Sequence, residues 1–168
     1  MSEFIEIDYS GLRKVADAFR TAPQIAREEM DAAMTEAVML LEREVKEATP
    51  TTHGILRASI FGVSRATDSG VLGLVASPLN YAEAVELGTK PHFPPLAPLM
   101  DWVVQKLGVP FQDVRSVAFL IARKISRKGT TGAFMFTKTY ARQEAAVKVM
   151  FERALERFAR RVERMGTQ

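Results

Sequence analysis

Side chains able to run catalysis or bind a metal are scarce in this chain. It has two histidines, His53 and His92, and no cysteine. Without cysteine there are no disulfides, thiolate-bound zinc, iron–sulfur clusters or thiol nucleophiles. The histidines stand 39 residues apart, each among prolines and glycines, with no HxxxH or HExxH spacing and no clustered carboxylate beside them. A metal centre would lack its usual ligand set. Ser10, Ser59, Ser64, Ser69, Ser77, Ser116 and Ser126 lack the Gly-x-Ser-x-Gly frame, and two histidines give a Ser-His-Asp triad little to draw on. The stretch Arg127-Lys128-Gly129-Thr130-Thr131-Gly132 has the composition of a phosphate loop. It lacks the Gly-x-x-x-x-Gly-Lys-Ser/Thr order, and no strand is predicted before it. The expectation is therefore a protein that is not an enzyme, with no catalytic residue, cofactor or metal. Two readings stay open for Arg123, Lys124, Arg127 and Lys128: a solvated cationic helix end, or a surface facing phosphates or an acidic partner. Tyr81 and Trp102 read as core or interface anchors, and the eight methionines as adaptable packing.

The elements that must position these residues fit one domain, residues 1–168, with helices in 1–50, a hairpin and Pro-rich loop in 51–95, and helices in 96–168. With 47% hydrophobic and 26% charged residues the composition is that of a globular protein. No apolar run is long enough for a membrane helix, and the acidic start Met1-Ser2-Glu3 is unlike a signal peptide. A cytoplasmic site of synthesis is expected.

The net charge of +3 hides a gradient. Residues 1–50 hold 6 basic and 11 acidic side chains, 51–111 hold 4 of each, and 112–168 hold 13 basic and 5 acidic. That asymmetry suits contact with nucleic acid, or a head-to-tail contact in which the acidic part of one copy meets the basic part of the next.

Phe4, Ile5 and Ile7 could supply an edge strand, and Leu12, Val15, Ala16 and Phe19 a short first helix. Met30, Ala33, Met34, Ala37, Val38, Leu41 and Val45 follow helical spacing and predict a long helix over 24–48 with acids in its first turns. Thr49-Pro50 through Gly54 stops it. Leu56–Arg65 and Val71–Ser77, joined by the turn-like Ala66–Gly70, predict a β-hairpin. Neither face of its first strand is clearly polar, which suggests a helix on one side and a neighbouring subunit on the other. Tyr81–Leu87 is a short helix or extended piece, and prolines 91, 94, 95 and 98 make Lys90–Pro95 a stiff loop. Helices follow over Leu96–Leu107 and from Val114 to a cap at Gly129, then over Ala133–Met165. In that last helix Phe151, Leu155, Phe158, Val162 and Met165 form a near-heptad stripe that suits packing within the subunit or against another one.

Three segments, in order, resemble one family. Thr49-Pro50-Thr51-Thr52-His53-Gly54-Ile55-Leu56-Arg57-Ala58-Ser59-Ile60 is similar to a signature of the lambdoid-type minor tail-component family of long-tailed double-stranded DNA phages. Tyr81-Ala82-Glu83-Ala84-Val85-Glu86-Leu87-Gly88-Thr89, followed by Phe93-Pro94-Pro95, resembles a second, with Leu87 in place of the usual aromatic. Ile121–Thr130, with Phe134–Phe136 beyond, resembles the family's basic helix end and aromatic approach to the last helix.

The resemblance implies an α+β subunit, a small antiparallel sheet built on a β-hairpin packed against long helices, assembled as a homo-oligomeric ring. The ring number, six, rests on the resemblance alone. It further implies a structural virion protein at the head-to-tail junction, assembled in the bacterial cytoplasm. Its partners would be the tail tube or terminator and the head-completion or portal proteins, with possible non-specific contact with packaged DNA and no membrane. A tail terminator and a small basic nucleic-acid-binding protein are the alternatives. Arg57, Tyr81, Glu86, Thr89, Phe93, Arg123, Lys124, Arg127 and Lys128 are the expected subunit or partner contacts.

Overall fold

The computed structural model describes residues 6–7, 22–68 and 70–166. The short helix expected over Leu12–Phe19 lies outside them. The fold is α+β, mostly helical with a small antiparallel sheet. Among the described residues no helix is long and apolar enough to cross a membrane. The chain divides into two compact units: one built from the segments around Met1–Ala48, Ile60–Pro78 and Met135–Gln168, the other from Thr49–Ser59 and Leu79–Phe134.

The first unit is organised by α1, Pro23–Ala48. All seven apolar positions read from the periodicity are buried, together with Ala26. Its first turn carries no acid; the acidic run begins at Glu28. The sheet contains β1 (Glu6–Ile7), β2 (Phe61–Thr67) and β3 (Gly70–Ala76) in the order β1-β3-β2, all antiparallel. Ile7 thus lies in the expected edge strand, while Phe4 and Ile5 lie outside the described residues. The hairpin register pairs Gly62 with Val75 and Ser64 with Gly73, so all four share one face. That face lies on α1. A Cβ at Gly73 would sit 2.5 Å from Met34 Sδ, and one at Gly62 would strike Val38. Glycine at both positions lets helix and sheet approach closely. Thr35 Oγ1 and Ser64 Oγ share a hydrogen bond of 2.8 Å, and the Gly62 N–H donates to Glu42 Oε2 at 2.9 Å. On the opposite face Phe61 and Val63 are 40% and 47% exposed.

The predicted first strand needs correction. Ile55–Ser59 is a short helix, α2, and the strand starts at Phe61. Gly54, at φ 75, places its carbonyl to accept from Ala58 N–H at 2.8 Å. Ser59 Oγ then closes the turn on the Leu56 carbonyl. The hairpin turn is also tighter than expected, with pairing continuing to Thr67↔Gly70.

The last helix, here α6, runs Met135–Gly166. Phe136, Val147, Phe151, Ala154 and Phe158 are buried, while Leu155 and Val162 are half-buried. The expected stripe therefore packs within the subunit, with Ala154 substituting for part of it. Gln143 Nε2 donates to Glu44 Oε2 at 3.0 Å near one end of the α1/α6 pair, and Arg157 Nε to Glu29 Oε2 at 2.7 Å near the other, so the helices run antiparallel. Arg161 spans Glu29 Oε1 (3.0 Å) and Glu28 Oε2 (2.8 Å). Burial pushes the Glu29 carboxyl up, but hydrogen bonds and charge attraction from Arg157 and Arg161 outweigh it and hold the group below its ordinary range. Part of the charge opposition read from the sequence thus closes inside the chain itself.

In the second unit, α3 (Ala82–Leu87) leads into β4 (Gly88–Thr89), the proline loop, α4 (Leu96–Leu107), a short 3-10 turn (Phe111–Asp113), α5 (Val114–Lys128) and β5 (Thr130–Thr131). Gly108, left-handed at φ 58, ends α4. Val103, Val114 and Ala118 form the core between α4 and α5, with Leu99, Met100, Val109, Val117 and Ile121 packed around it. The boundaries of α4 and α5 are those the sequence predicts. The stretch before α6 was expected to be only a loop, yet Thr130–Thr131 is a strand pairing with Gly88–Thr89, and α6 starts at Met135 rather than Ala133.

Candidate functional site

That two-residue pairing is the join on which the second unit is built. Gly88 pairs with Thr131 and Thr89 with Thr130. Thr89 N–H donates to Thr130 Oγ1 at 3.0 Å, and the two threonine hydroxyls lie 3.0 Å apart. Ala133 N–H reaches the Val85 carbonyl at 2.8 Å and Phe134 N–H the Glu86 carbonyl at 3.0 Å. Backbone meets backbone at three glycines. A Cβ at Gly88 would meet the Thr130 carbonyl, one at Gly129 the Thr89 carbonyl, and one at Gly132 the Glu86 carbonyl. Gly88 and Gly129 also hold φ of 83 and 68, which side chains disfavour. The second and third segments behind the sequence resemblance are thus hydrogen-bonded to each other through this clasp.

The clasp fixes the end of α5, where the Gly129 N–H caps the Ile125 carbonyl at 2.8 Å. Along α5, Val114, Ala118 and Ala122 are buried. The 3.6-residue period turns Phe119, Leu120, Arg123 and Arg127 to the opposite side, and all four are exposed, as is Lys124. Phe119 and Leu120 are 48% and 61% exposed. Phe93, held in a loop flanked by Pro91, Pro94 and Pro95, sets its ring 6.1 Å from that of Phe119 at 56°, a favourable tilted aromatic pair. One turn on, Arg123 begins the basic group. Helix α5 carries Arg115, Arg123, Lys124, Arg127 and Lys128 and no acidic residue. Among the described residues none of these five makes an ion pair.

The expected contact residues separate accordingly. Phe93, Arg123, Lys124 and Arg127 gather on or beside this face, with Lys128 at its end and Thr89 in the clasp below it. Arg57 is exposed on α2 and Tyr81 is 46% exposed ahead of α3, with no contact tying either to the face. Glu86 is a correction. It is 3% exposed, because α3 turns it inward where its carbonyl also receives the Phe134 N–H, so it offers a partner no surface. Phe119 and Leu120 were missed. Their signal was present: two large apolar residues off the seam marked by Val114, Ala118 and Ile121.

The histidines are engaged locally. Gln105 Nε2 lies 3.1 Å from both ring nitrogens of His53, and His92 Nδ1 lies 2.9 Å from the Lys90 carbonyl. Among the described residues no group of three His, Asp or Glu side chains is placed to hold a metal ion.

Comparison with curated proteins finds no match, and comparison with solved structures finds none either. Residues 13–88, a little under half of the chain, match the HK97-gp10-like family model, described as "Bacteriophage HK97-gp10, putative tail-component". The match takes in the first two resembling segments up to Gly88 and stops short of the third, Ile121–Thr130. Over residues 13–88 the chain is similar to the HK97-gp10-like tail components of bacteriophages, and at that level the sequence resemblance is borne out.

Proposed function

We propose that this chain is a structural protein of the phage head-to-tail junction, forming a homo-oligomeric ring that joins the tail tube to the head-completion or portal complex. The role is structural rather than catalytic. The observation that carries the reading is the outward face of α5, where Phe93, Phe119 and Leu120 stand exposed beside cations that make no ion pair among the described residues, in a chain similar over residues 13–88 to a phage tail component. Exposed aromatics next to arginine are the composition of a protein interface. The exposed Phe61 and Val63 on the hairpin suit a neighbouring subunit in the ring.

Two measurements test this. Light scattering should give a six-fold multiple of the 18.7 kDa chain mass, alone or on adding tail or head-completion proteins. In the phage that encodes it, Phe93→Ala should leave heads and tails unjoined. A protein missing from purified virions, or normal joining by Phe93→Ala with a strictly monomeric protein, would overturn the reading. The exposed cations of α5 also favour a second reading, nucleic-acid binding, which predicts tight binding to duplex DNA that weakens steeply with salt.

A further inference from the structure

The face of α5 is graded along its length. Its first half presents Phe119 and Leu120, with Phe93 of the proline loop beside the Phe119 ring, and its second half presents Arg123, Lys124 and Arg127. We infer that this face docks an acidic amphipathic segment of another protein, one bringing apolar side chains for Phe93, Phe119 and Leu120 and carboxylates for the cations.

Two observations choose an acidic protein over DNA. Apolar side chains fill half the face, and interfaces with DNA are strongly polar and charged. Phe93 is also pre-positioned by prolines against Phe119, which lowers the ordering cost of an apolar anchor and gives a phosphate nothing. Charge names the partner's sign: α5 carries five cations and no acid, and none of the five has an ion pair among the described residues, so the face suits carboxylates.

This deepens the junction reading and rests on it. The test uses the full-length protein and three probes: a synthetic helical peptide with leucines on one face flanked by glutamates, a scrambled peptide of the same composition, and a duplex DNA fragment. Labelled-probe anisotropy should show binding of the helical peptide and binding of the scrambled one weaker by about tenfold or more. The pairs Phe119→Ser/Leu120→Ser and Arg123→Ala/Arg127→Ala should each weaken the helical peptide by about tenfold or more, with circular dichroism unchanged. The inference is overturned by tighter binding to DNA than to the peptide. It is equally overturned if the apolar pair of substitutions has no effect, or if either pair dissolves self-association, which would assign the face to a second copy. Virions that carry the protein while its peptide binding ignores these substitutions would sink this inference alone. Peptide binding by a protein missing from virions would sink the junction reading alone.

Discussion

The two units close by opposite means. In the first, side chains do the closing: apolar residues of α1 and α6 interlock, and Glu28 and Glu29 take up Arg157 and Arg161. In the second, backbone does it, through a clasp whose glycines admit no Cβ, and the side chains of α5 are left to face outward. The basic surplus of residues 112–168 is therefore two populations. One neutralises this chain's own acids; the other, on α5, makes no ion pair among the described residues.

The clasp should be the more brittle device. At Gly129 a Cβ would be driven into the Thr89 carbonyl, and φ 68 with ψ −160 is a conformation that essentially only glycine adopts. Gly129→Ala is expected to cost about 3–5 kcal/mol, combining backbone strain with overpacking. Denaturant unfolding should report it. A cost under about 1 kcal/mol would show that the clasp does not hold the second unit together.

The charge lock of the first unit should cost less to break. The Glu29 side chain is 12% exposed, but its arginine partners are 41% and 43% exposed and can recover water. Glu29→Gln is expected to lose about 1–2 kcal/mol in urea unfolding. The pH dependence has a fixed sign. Because the folded-state pKa of Glu29 is lowered, its contribution is complete above about 4.5, its ordinary value, and is lost as pH falls through the folded-state value. The gap in melting temperature between wild type and Glu29→Gln should therefore be constant near neutrality and shrink in acid. A gap that widened in acid would contradict the lock.

This division also explains what could be read from the sequence. Helix α1 was legible because seven apolar positions repeat with the helical period and all are buried. Leu56–Ser59 was misread as strand because so short a run carries no period, and the deciding bond comes from the Gly54 carbonyl. The clasp was invisible for another reason: it joins two two-residue segments, Thr89 meeting Thr130 41 positions on, and two residues have no pattern. The basic group of α5 is legible from charge, whereas Phe93 and Glu86 both come with the resemblance, which weighs them alike, and only the turn of α3 buries Glu86. Counting charges by segment gave the gradient correctly. It could not say that Arg157 and Arg161 meet Glu28 and Glu29 of the same chain.

The smallest expected effect on stability is the one that separates the two populations of arginine. Arg123 and Arg127 have no carboxylate partner among the described residues and lie on the side of α5 away from its core, so Arg123→Ala/Arg127→Ala should shift unfolding by no more than about 0.5 kcal/mol. Arg157→Ala/Arg161→Ala removes both partners of Glu29 and should shift it measurably more. Partner binding should rank the pairs the other way, lost with the α5 pair and kept with the α6 pair. Equal destabilisation by both pairs would mean that the α5 cations serve the fold after all, and the contrast between a self-neutralised unit and an outward-facing one would fail.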